Sequence, residues 1–146
     1  RDESGSGIVV FARSDSRSAV DSDEALWRAA AFADQGADAL FIDALRSKEE
    51  MRAFCKVAPG VPKMANMLEG GGSTPICTPE ELQDMGFSIV AYPLSLLAVS
   101  VKAMERALRE IKDEGYPSDD TLPTFVDLQS SVGFPEYYDD DERYKA

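Results

Sequence analysis

Four short apolar runs recur along this chain, and each ends in polar residues and is followed by an amphipathic stretch. The runs occupy residues 8–12, 39–42, 61–65 and 88–91. The polar residues that follow them are Arg13 and Asp15, Asp43, Asn66 and Glu69, and Tyr92 and Ser95. A strand that alternates with a helix predicts a parallel sheet with crossover helices. The pattern therefore predicts strands near 8–12, 39–43, 62–66 and 88–92, the first of them buried on both faces because it is wholly apolar.

Capping residues and glycines predict where the helices begin and end. Asp21 with Glu24, and Ser47 with Glu50, resemble capping boxes, and Thr78 is followed by the same signal with proline at the first helical position. A long helix is predicted over 96–112, and its apolar band is wide enough to indicate contacts on two sides. The segment 116–146 is predicted to wrap around the fold as extended or short-helical chain, partly disordered at its end.

Composition and charge restrict the possible partners. The chain has 146 residues and a formal net charge of -12, from 27 acidic and 15 basic residues. This balance argues against nucleic acid and anionic membrane surfaces, which both attract basic faces. The acidic run 139–142 is interpreted as a solvated tail, with a docking segment for a partner subunit as the alternative. No apolar run approaches the roughly 20 residues of a membrane span, so a soluble, intracellular protein is expected.

The chain has no histidine and two cysteines, Cys55 and Cys77, neither in a CxxC motif. This excludes a Ser-His or Cys-His nucleophile system within the sequence, and it argues against a structural zinc site. The cysteines are interpreted as thiols in a reducing compartment. The sequence begins with arginine and shows no signal peptide, so we expect a processed, trimmed or partial chain.

Candidate site residues follow from the strand ends, because ligands bind at the carboxyl ends of strands in parallel sheets. Arg13 is expected either to hold a substrate carboxylate or to pair internally with Asp15 or Asp43. Asp43 is expected to orient Arg13 or a metal-bound water, or else to serve as a cap or structural ion pair. Asn66 is expected to bind a ligand through its amide, or to satisfy turn backbone.

A run of three glycines at 70–72 leads into Ser73, Thr74 and Pro75. It lacks the spacing and the lysine of a phosphate-binding loop. We interpret it as a mobile segment that could close over a small acid.

Four motifs occur in order: Ala12-Arg13-Ser14-Asp15, the stretch 36–44, the stretch 65–71 and Tyr92-Pro93-Leu94-Ser95. Together they resemble the isocitrate lyase/phosphoenolpyruvate mutase superfamily, in the branch of methylisocitrate lyase, plant carboxyvinyl-carboxyphosphonate phosphorylmutase-like proteins and petal death protein. The resemblance implies an α/β fold, the last four units of an eight-stranded β/α barrel. Residues 1–115 would form this C-terminal half, and 116–146 would form a wrapping segment with an acidic tail. The helix 96–112 would pack on a neighbouring subunit of a homo-oligomer.

The resemblance also assigns roles to single residues. Arg13 and Asp43 would be catalytic, and Arg13 would bind a substrate carboxylate. The substrate contacts would be completed by Asn66, by Glu69 as support of its loop, and by Thr74 and Pro75. Magnesium would be the cofactor, but its main ligands and the catalytic loop would lie on the upstream half of the barrel, with no metal ligand in this chain.

The implied reaction is carbon–carbon cleavage of a small 2-oxo or 2-hydroxy dicarboxylate through an enolate-like intermediate. Phosphonomutase-type chemistry and oxaloacetate hydrolysis are alternatives within the superfamily. A non-catalytic assembly or scaffold subunit is the alternative outside enzyme function. Resemblance to plant members implies a plastid if the source is plant or algal.

Overall fold

The computed structural model describes Gly5 and residues 7–145. Most of the predicted N-terminal loop therefore lies outside the described residues. Four parallel strands form one sheet in the order β1-β2-β3-β4. They are β1 (Phe11–Ser14), β2 (Ala39–Ile42), β3 (Lys63–Asn66) and β4 (Ile89–Ala91). The predicted α/β architecture is thus confirmed, with strand order equal to chain order, as in successive βα units.

The first predicted strand was wrong at its start and in its burial. Ile8 and Val9 precede β1 and are 63% and 70% exposed, and Phe11 is 41% exposed. β1 is an edge of the described sheet, so only β2 pairs with it. β2 has a neighbour on each side, and all four of its residues are buried. An apolar run predicts burial, but the surface that would bury residues 8–11 is not in the described part of the chain.

Within the described residues, seven α-helices connect or follow the strands. They are α1 (Ser16–Ala19), α2 (Ser22–Asp34), α3 (Lys48–Cys55), α4 (Pro79–Met85), α5 (Ser95–Glu114), α6 (Phe125–Ser131) and α7 (Phe134–Tyr144). A 3-10 turn covers Asp119–Thr121. None of the helices in the described range combines the length and the apolar character needed to cross a membrane.

The caps of α2, α3 and α4 explain where these helices begin. Asp21, Ser47 and Thr78 each accept a hydrogen bond from the backbone N–H three residues later. Only the last of them forms the full capping box, in which Glu81 accepts from the Thr78 amide at 3.0 Å. The reciprocal bond predicted for Glu50 is wrong, because Glu50 accepts from the Arg46 amide and from Arg17 instead.

The chain packs as two compact units that divide between Leu96 and Leu97. The core of the first unit lies between the sheet and helices α2, α3 and α4, and its largest fully buried side chains are Phe54, Leu40, Met51, Met67 and Leu82. Phe54 contacts Phe87 edge-to-face, with ring centroids 6.1 Å apart. This core fixes the sheet whose carboxyl edge carries the candidate site.

The C-terminal segment is more helical than predicted. α7 includes the acidic run 139–142, which was expected to be partly disordered. Arg143 lies 3.1 Å from Asp140, and Lys145 pairs with Asp141 and Glu142, so bases one turn later offset the acidic charge. In α5 no side chain is buried in the described structure. Its predicted apolar band is present and exposed, and the residues of this α5 stripe are Leu97, Val101, Met104, Leu108 and Ile111.

A half-buried ion pair joins α1 to α3 beside the loop that follows β2. Arg17 donates to Glu50 through Nε at 2.9 Å and Nη2 at 2.7 Å, and the Arg46 amide donates to Glu50 at 2.7 Å. These contacts hold the pKa of Glu50 below its usual value, and the hydrogen bond from Arg17 makes the largest contribution. The stabilisation is therefore complete above the unfolded-state pKa, about 4.3, and is lost as pH falls through the lower folded-state value.

We expect Glu50→Gln to lower the melting temperature by about 2–5 °C at pH 7. The difference from wild type should shrink as the pH falls below about 4, because both proteins then lack the carboxylate charge. The neighbouring Glu49→Gln is a matched control, since Glu49 is 82% exposed and lies 3.8 Å from its basic partner. Thermal melts between pH 3 and 7 measure the effect. An equal shift at all pH values would contradict the ionic origin.

Candidate functional site

Three predicted site residues lie at the carboxyl ends of neighbouring strands. Arg13 is in β1, Asp43 follows β2 directly, and Asn66 is the last residue of β3. The parallel register pairs Arg13 with Phe41, and the Asp43 amide donates to the Ser14 carbonyl oxygen at 3.0 Å. The structure thus places these side chains at one edge of the sheet.

The Arg13 guanidinium is held by two aspartates. Its Nη2 donates to Asp43 Oδ2 at 2.6 Å and to Asp15 Oδ1 at 2.8 Å, and its Nε donates to Asp15 Oδ1 at 3.1 Å. The Arg13 Cζ lies 5.1 Å from the centroid of the Phe41 ring, within cation–π distance. Nε also lies 3.3 Å from Asp15 Oδ2, so four hydrogen bonds and one ring orient a guanidinium that is half exposed.

Arg13 and Asp15 each favour the charged form of the other. The pKa of Asp15 is lowered, first by the hydrogen bond from Arg13. The pKa of Arg13 is raised, first by the same bond and further by the charges of Asp43 and Asp15, while burial acts in the opposite direction. Two carboxylates and one guanidinium leave the cluster formally anionic.

A small cavity of about 200 Å³ opens next to this cluster. It is lined by Asp43, Ala44, Asn66, Leu68, Gly71, Gly72, Ser73 and Thr74. The Asn66 amide has no hydrogen-bonding partner among the residues that the structure describes, so it can donate and accept toward a ligand. The glycine segment forms one wall, and the turn after β2 forms another.

Ala44 adopts a backbone conformation that is rare for a residue with a side chain. Its φ is +57°, and its amide donates to Asp43 Oδ1 at 3.0 Å. Non-glycine residues with positive φ are uncommon and concentrate at functional sites. The turn directs the Asp43 carboxylate between its own backbone and Arg13, and it places Ala44 at the cavity wall.

Three predicted residues lie outside the cavity lining: Arg13, which reaches it only through its contact with Asp43, and Glu69 and Pro75. Glu69 accepts from the Ser95 hydroxyl, at 2.8 and 2.7 Å from its two oxygens, and this bond is the first cause of its lowered pKa. It thereby anchors the glycine segment to the start of α5. Pro75 follows the lining residue Thr74, and its carbonyl oxygen accepts from the Cys77 thiol at 3.6 Å.

The sequence prediction named Asp15 only as an alternative ion-pair partner of Arg13, and it gave no role to two other features of this site. Asp15 is two residues from Arg13, a spacing that puts side chains on the same face of a strand, so its pairing was foreseeable as one alternative. An alanine in the sequence gives no indication that the backbone has a positive φ at position 44. Ser95 is the first residue of α5, and nothing local indicates its distant partner.

A family model described as phosphoenolpyruvate phosphomutase matches residues 1–112. The chain is 36% identical over 132 residues to 2-methylisocitrate lyase of Bacillus subtilis (strain 168), covering 89% of this chain and 43% of that protein. It is 30% identical over 142 residues to petal death protein of Dianthus caryophyllus, covering 96% of this chain and 44% of the relative. The chain therefore spans under half the length of these curated relatives.

Solved structures share the fold. A 2,3-dimethylmalate lyase, described as a PEP mutase/isocitrate lyase superfamily member, superposes with a TM-score of 0.88 at 34% identity, covering 99% of this chain and 51% of that one. A phosphonopyruvate hydrolase in complex with oxalate and Mg²⁺ superposes with a TM-score of 0.76 at 25% identity, covering 93% and 49%. The chain thus corresponds to about half of each of these structures.

Proposed function

Because the chain belongs to the phosphoenolpyruvate phosphomutase family, we propose that it contributes part of the active site of a lyase that acts on a small 2-oxo or 2-hydroxy dicarboxylate. The observation that carries this proposal is the fixed Arg13 guanidinium beside a cavity into which Asn66 offers an uncommitted amide. A cation and an amide at one rim suit a ligand that has both carboxylate and carbonyl or hydroxyl oxygens.

The proposed reaction is cleavage of a carbon–carbon bond. The bond between the hydroxyl-bearing carbon and its neighbour breaks, and the hydroxyl proton leaves as that carbon becomes a carbonyl. The bonding electron pair passes to the departing enolate, which then takes up a proton. In this scheme Arg13 binds a substrate carboxylate, Asp43 fixes the guanidinium, and Asn66 and Thr74 orient the remaining substrate oxygens. Glu69 and Pro75 hold the segment that carries Thr74.

Magnesium belongs to the proposal, with ligands from outside this chain. Within Gly5 and residues 7–145, no three His, Cys, Asp or Glu side chains cluster in a way that could hold a metal ion. The Asp43 oxygens already accept from Arg13 and the Ala44 amide. The described residues therefore do not form a metal centre by themselves. The anionic cluster favours a bound cation nevertheless, since a dicarboxylate would otherwise approach two aspartates.

We also propose an assembly in which a second copy of the chain covers the exposed α5 stripe. Contiguous apolar surface of this kind is typical of interaction sites. Residues 1–115 would then complete a barrel with an upstream half, and 116–146 would wrap around the assembly.

The decisive experiment measures oxalate binding by the complete natural protein, with and without Mg²⁺, using calorimetry. Turnover follows with 2-methylisocitrate, 2,3-dimethylmalate, oxaloacetate and phosphonopyruvate, the last two reporting hydrolysis and P–C chemistry. We expect magnesium-dependent oxalate binding and cleavage of a dicarboxylate. Absence of both binding and turnover would reject the enzyme in favour of an assembly subunit.

Gly72 tests whether the glycine segment shapes the ligand cavity. A Cβ at this position would lie 2.7 Å from the Leu68 carbonyl oxygen and 3.0 Å from Leu68 Cβ, so the backbone must shift. We expect Gly72→Ala to weaken oxalate binding by at least about fivefold, because the displaced wall no longer fits the ligand. Gly71→Ala is the matched control, since nothing lies within 4 Å of its added Cβ and both glycines line the cavity. Equal affinities for the two variants would contradict this role.

A further inference from the structure

Asp15 is an unassigned member of the Arg13 cluster. It accepts hydrogen bonds from both nitrogens on one edge of the guanidinium, Nε at 3.1 Å and Nη2 at 2.8 Å. This is the edge through which arginine grips a carboxylate with two parallel bonds. Asp15 therefore already occupies the two-pronged position that a substrate carboxylate was expected to take.

Counting N–H groups shows what remains for a ligand. A guanidinium has five N–H donors, one on Nε and two on each Nη. The Nε hydrogen and one Nη2 hydrogen point to Asp15, and the second Nη2 hydrogen points to Asp43. Nη1 has no acceptor among the residues that the structure describes. The two Nη1 hydrogens are thus the donors available to a bound anion.

We propose that Asp15 is a positioning residue, which closes the Nε edge of Arg13 and presents Nη1 as the group that binds the ligand carboxylate. The inference rests on the proposed function for the identity of the ligand. Its geometric part, the closed Nε edge, stands on the hydrogen bonds alone.

The exposure of the Arg13–Asp15 ion pair indicates that it orients the guanidinium and adds little to the stability of the fold. The side chains of Arg13 and Asp15 are 54% and 63% exposed, and ion pairs in such positions add little to folding stability. The Phe41 ring and Asp43 limit the guanidinium from other directions. Loss of Asp15 would leave Nε without an acceptor and let the planar group rotate about its remaining contacts.

The first test replaces Asp15 in the complete natural protein and measures oxalate affinity in the presence of Mg²⁺. We expect Asp15→Ala to weaken oxalate binding about 5- to 20-fold, with a melting temperature within about 2 °C of wild type. Glu24→Ala is the matched control, because it removes the carboxylate partner of another half-exposed arginine, Arg28, at 2.7 Å. It should change affinity less than twofold. Unchanged or tighter oxalate binding by Asp15→Ala would overturn the proposal, since removal of a repelling charge alone would strengthen binding of an anion.

A double-mutant cycle shows whether Asp15 acts through Arg13. In the Arg13→Lys background, Asp15→Ala should change oxalate affinity less than twofold, because the group that Asp15 orients is gone. Additive losses would mean that Asp15 acts independently and would overturn the proposal.

Hydrogen exchange of the Arg13 Nε–H with water tests the closed Nε edge without any ligand. Its ¹⁵N resonance, assigned by its loss in Arg13→Lys, should exchange with water at least about tenfold more slowly than that of Arg52, whose Nε has no acceptor among the described residues. Asp15→Ala should remove this protection, because it leaves Nε without its acceptor. Fast exchange in wild type would reject the closed edge, whereas protected exchange without any oxalate binding would reject the proposed function alone.

Discussion

Arg13→Lys is expected to lower kcat/KM of the complete protein by about 30- to 900-fold, equivalent to about 2–4 kcal/mol of transition-state stabilisation. Lysine keeps the charge, but a single ammonium cannot reproduce the planar contacts to Asp15 and Asp43 and still present a donor to the ligand. The loss should appear in oxalate affinity as well as in turnover, because the same group binds both.

The control for this prediction is Arg28→Lys on α2, which alters an exposed pair away from the sheet edge. It should change kcat/KM less than twofold. A change under threefold in Arg13→Lys would mean that Arg13 has only a structural role.

Phe54→Ala is expected to reduce the free energy of unfolding by about 3–5 kcal/mol, as large-to-small changes of buried aromatic residues do. Phe54 is fully buried on α3 and meets Phe87 across the core. Its removal leaves a cavity between α3 and the sheet, which the surrounding backbone can fill only in part. Urea unfolding of the complete protein measures the loss.

The matched control is Phe125→Ala, since Phe125 is the same residue type and is 73% exposed. We expect a change within about 0.5 kcal/mol for this variant. If both variants lost stability equally, Phe54 would not be a core residue in the complete protein.

Much of the fold could be predicted because local signals agreed with one another. The start of α4 at Pro79 and its end before Gly86 were both foreseen, since Thr78 forms a full capping box and Gly86 has a φ of +107°. The strand β2 was placed at its observed first residue, because its apolar run follows the turn at Gly36 and is buried between two neighbouring strands. Parallel topology then follows from the spacing of the strands.

The errors arose where burial depends on groups far away in the chain. Residues 8–10 have the composition of a central strand, but β1 is a sheet edge in the described chain, so pairing begins only at Phe11 opposite Ala39. Glu50 was assigned to its own helix cap and instead bonds Arg17, 33 residues away. No local pattern encodes a partner at that separation.

The candidate site was predictable in its position but not in its connections. Topology alone brings Arg13, Asp43 and Asn66 to one edge. Side-chain geometry decides that Arg13 donates hydrogen bonds to two aspartates and that Ser95 donates one to Glu69. The roles of these residues in binding and catalysis remain predictions that the variants above test.

The left-handed turn at Ala44 limits which sequences can build this cavity. A β-branched side chain is strongly disfavoured at φ +57°, and a bulky one would also intrude on a space of about 200 Å³. Glycine, asparagine and aspartate tolerate this conformation best, and the alanine found here is the smallest residue that carries a Cβ. Residue 44 can be randomised and the variants selected for retained ligand affinity. Far fewer residue types should be accepted there than at the neighbouring exposed position 46.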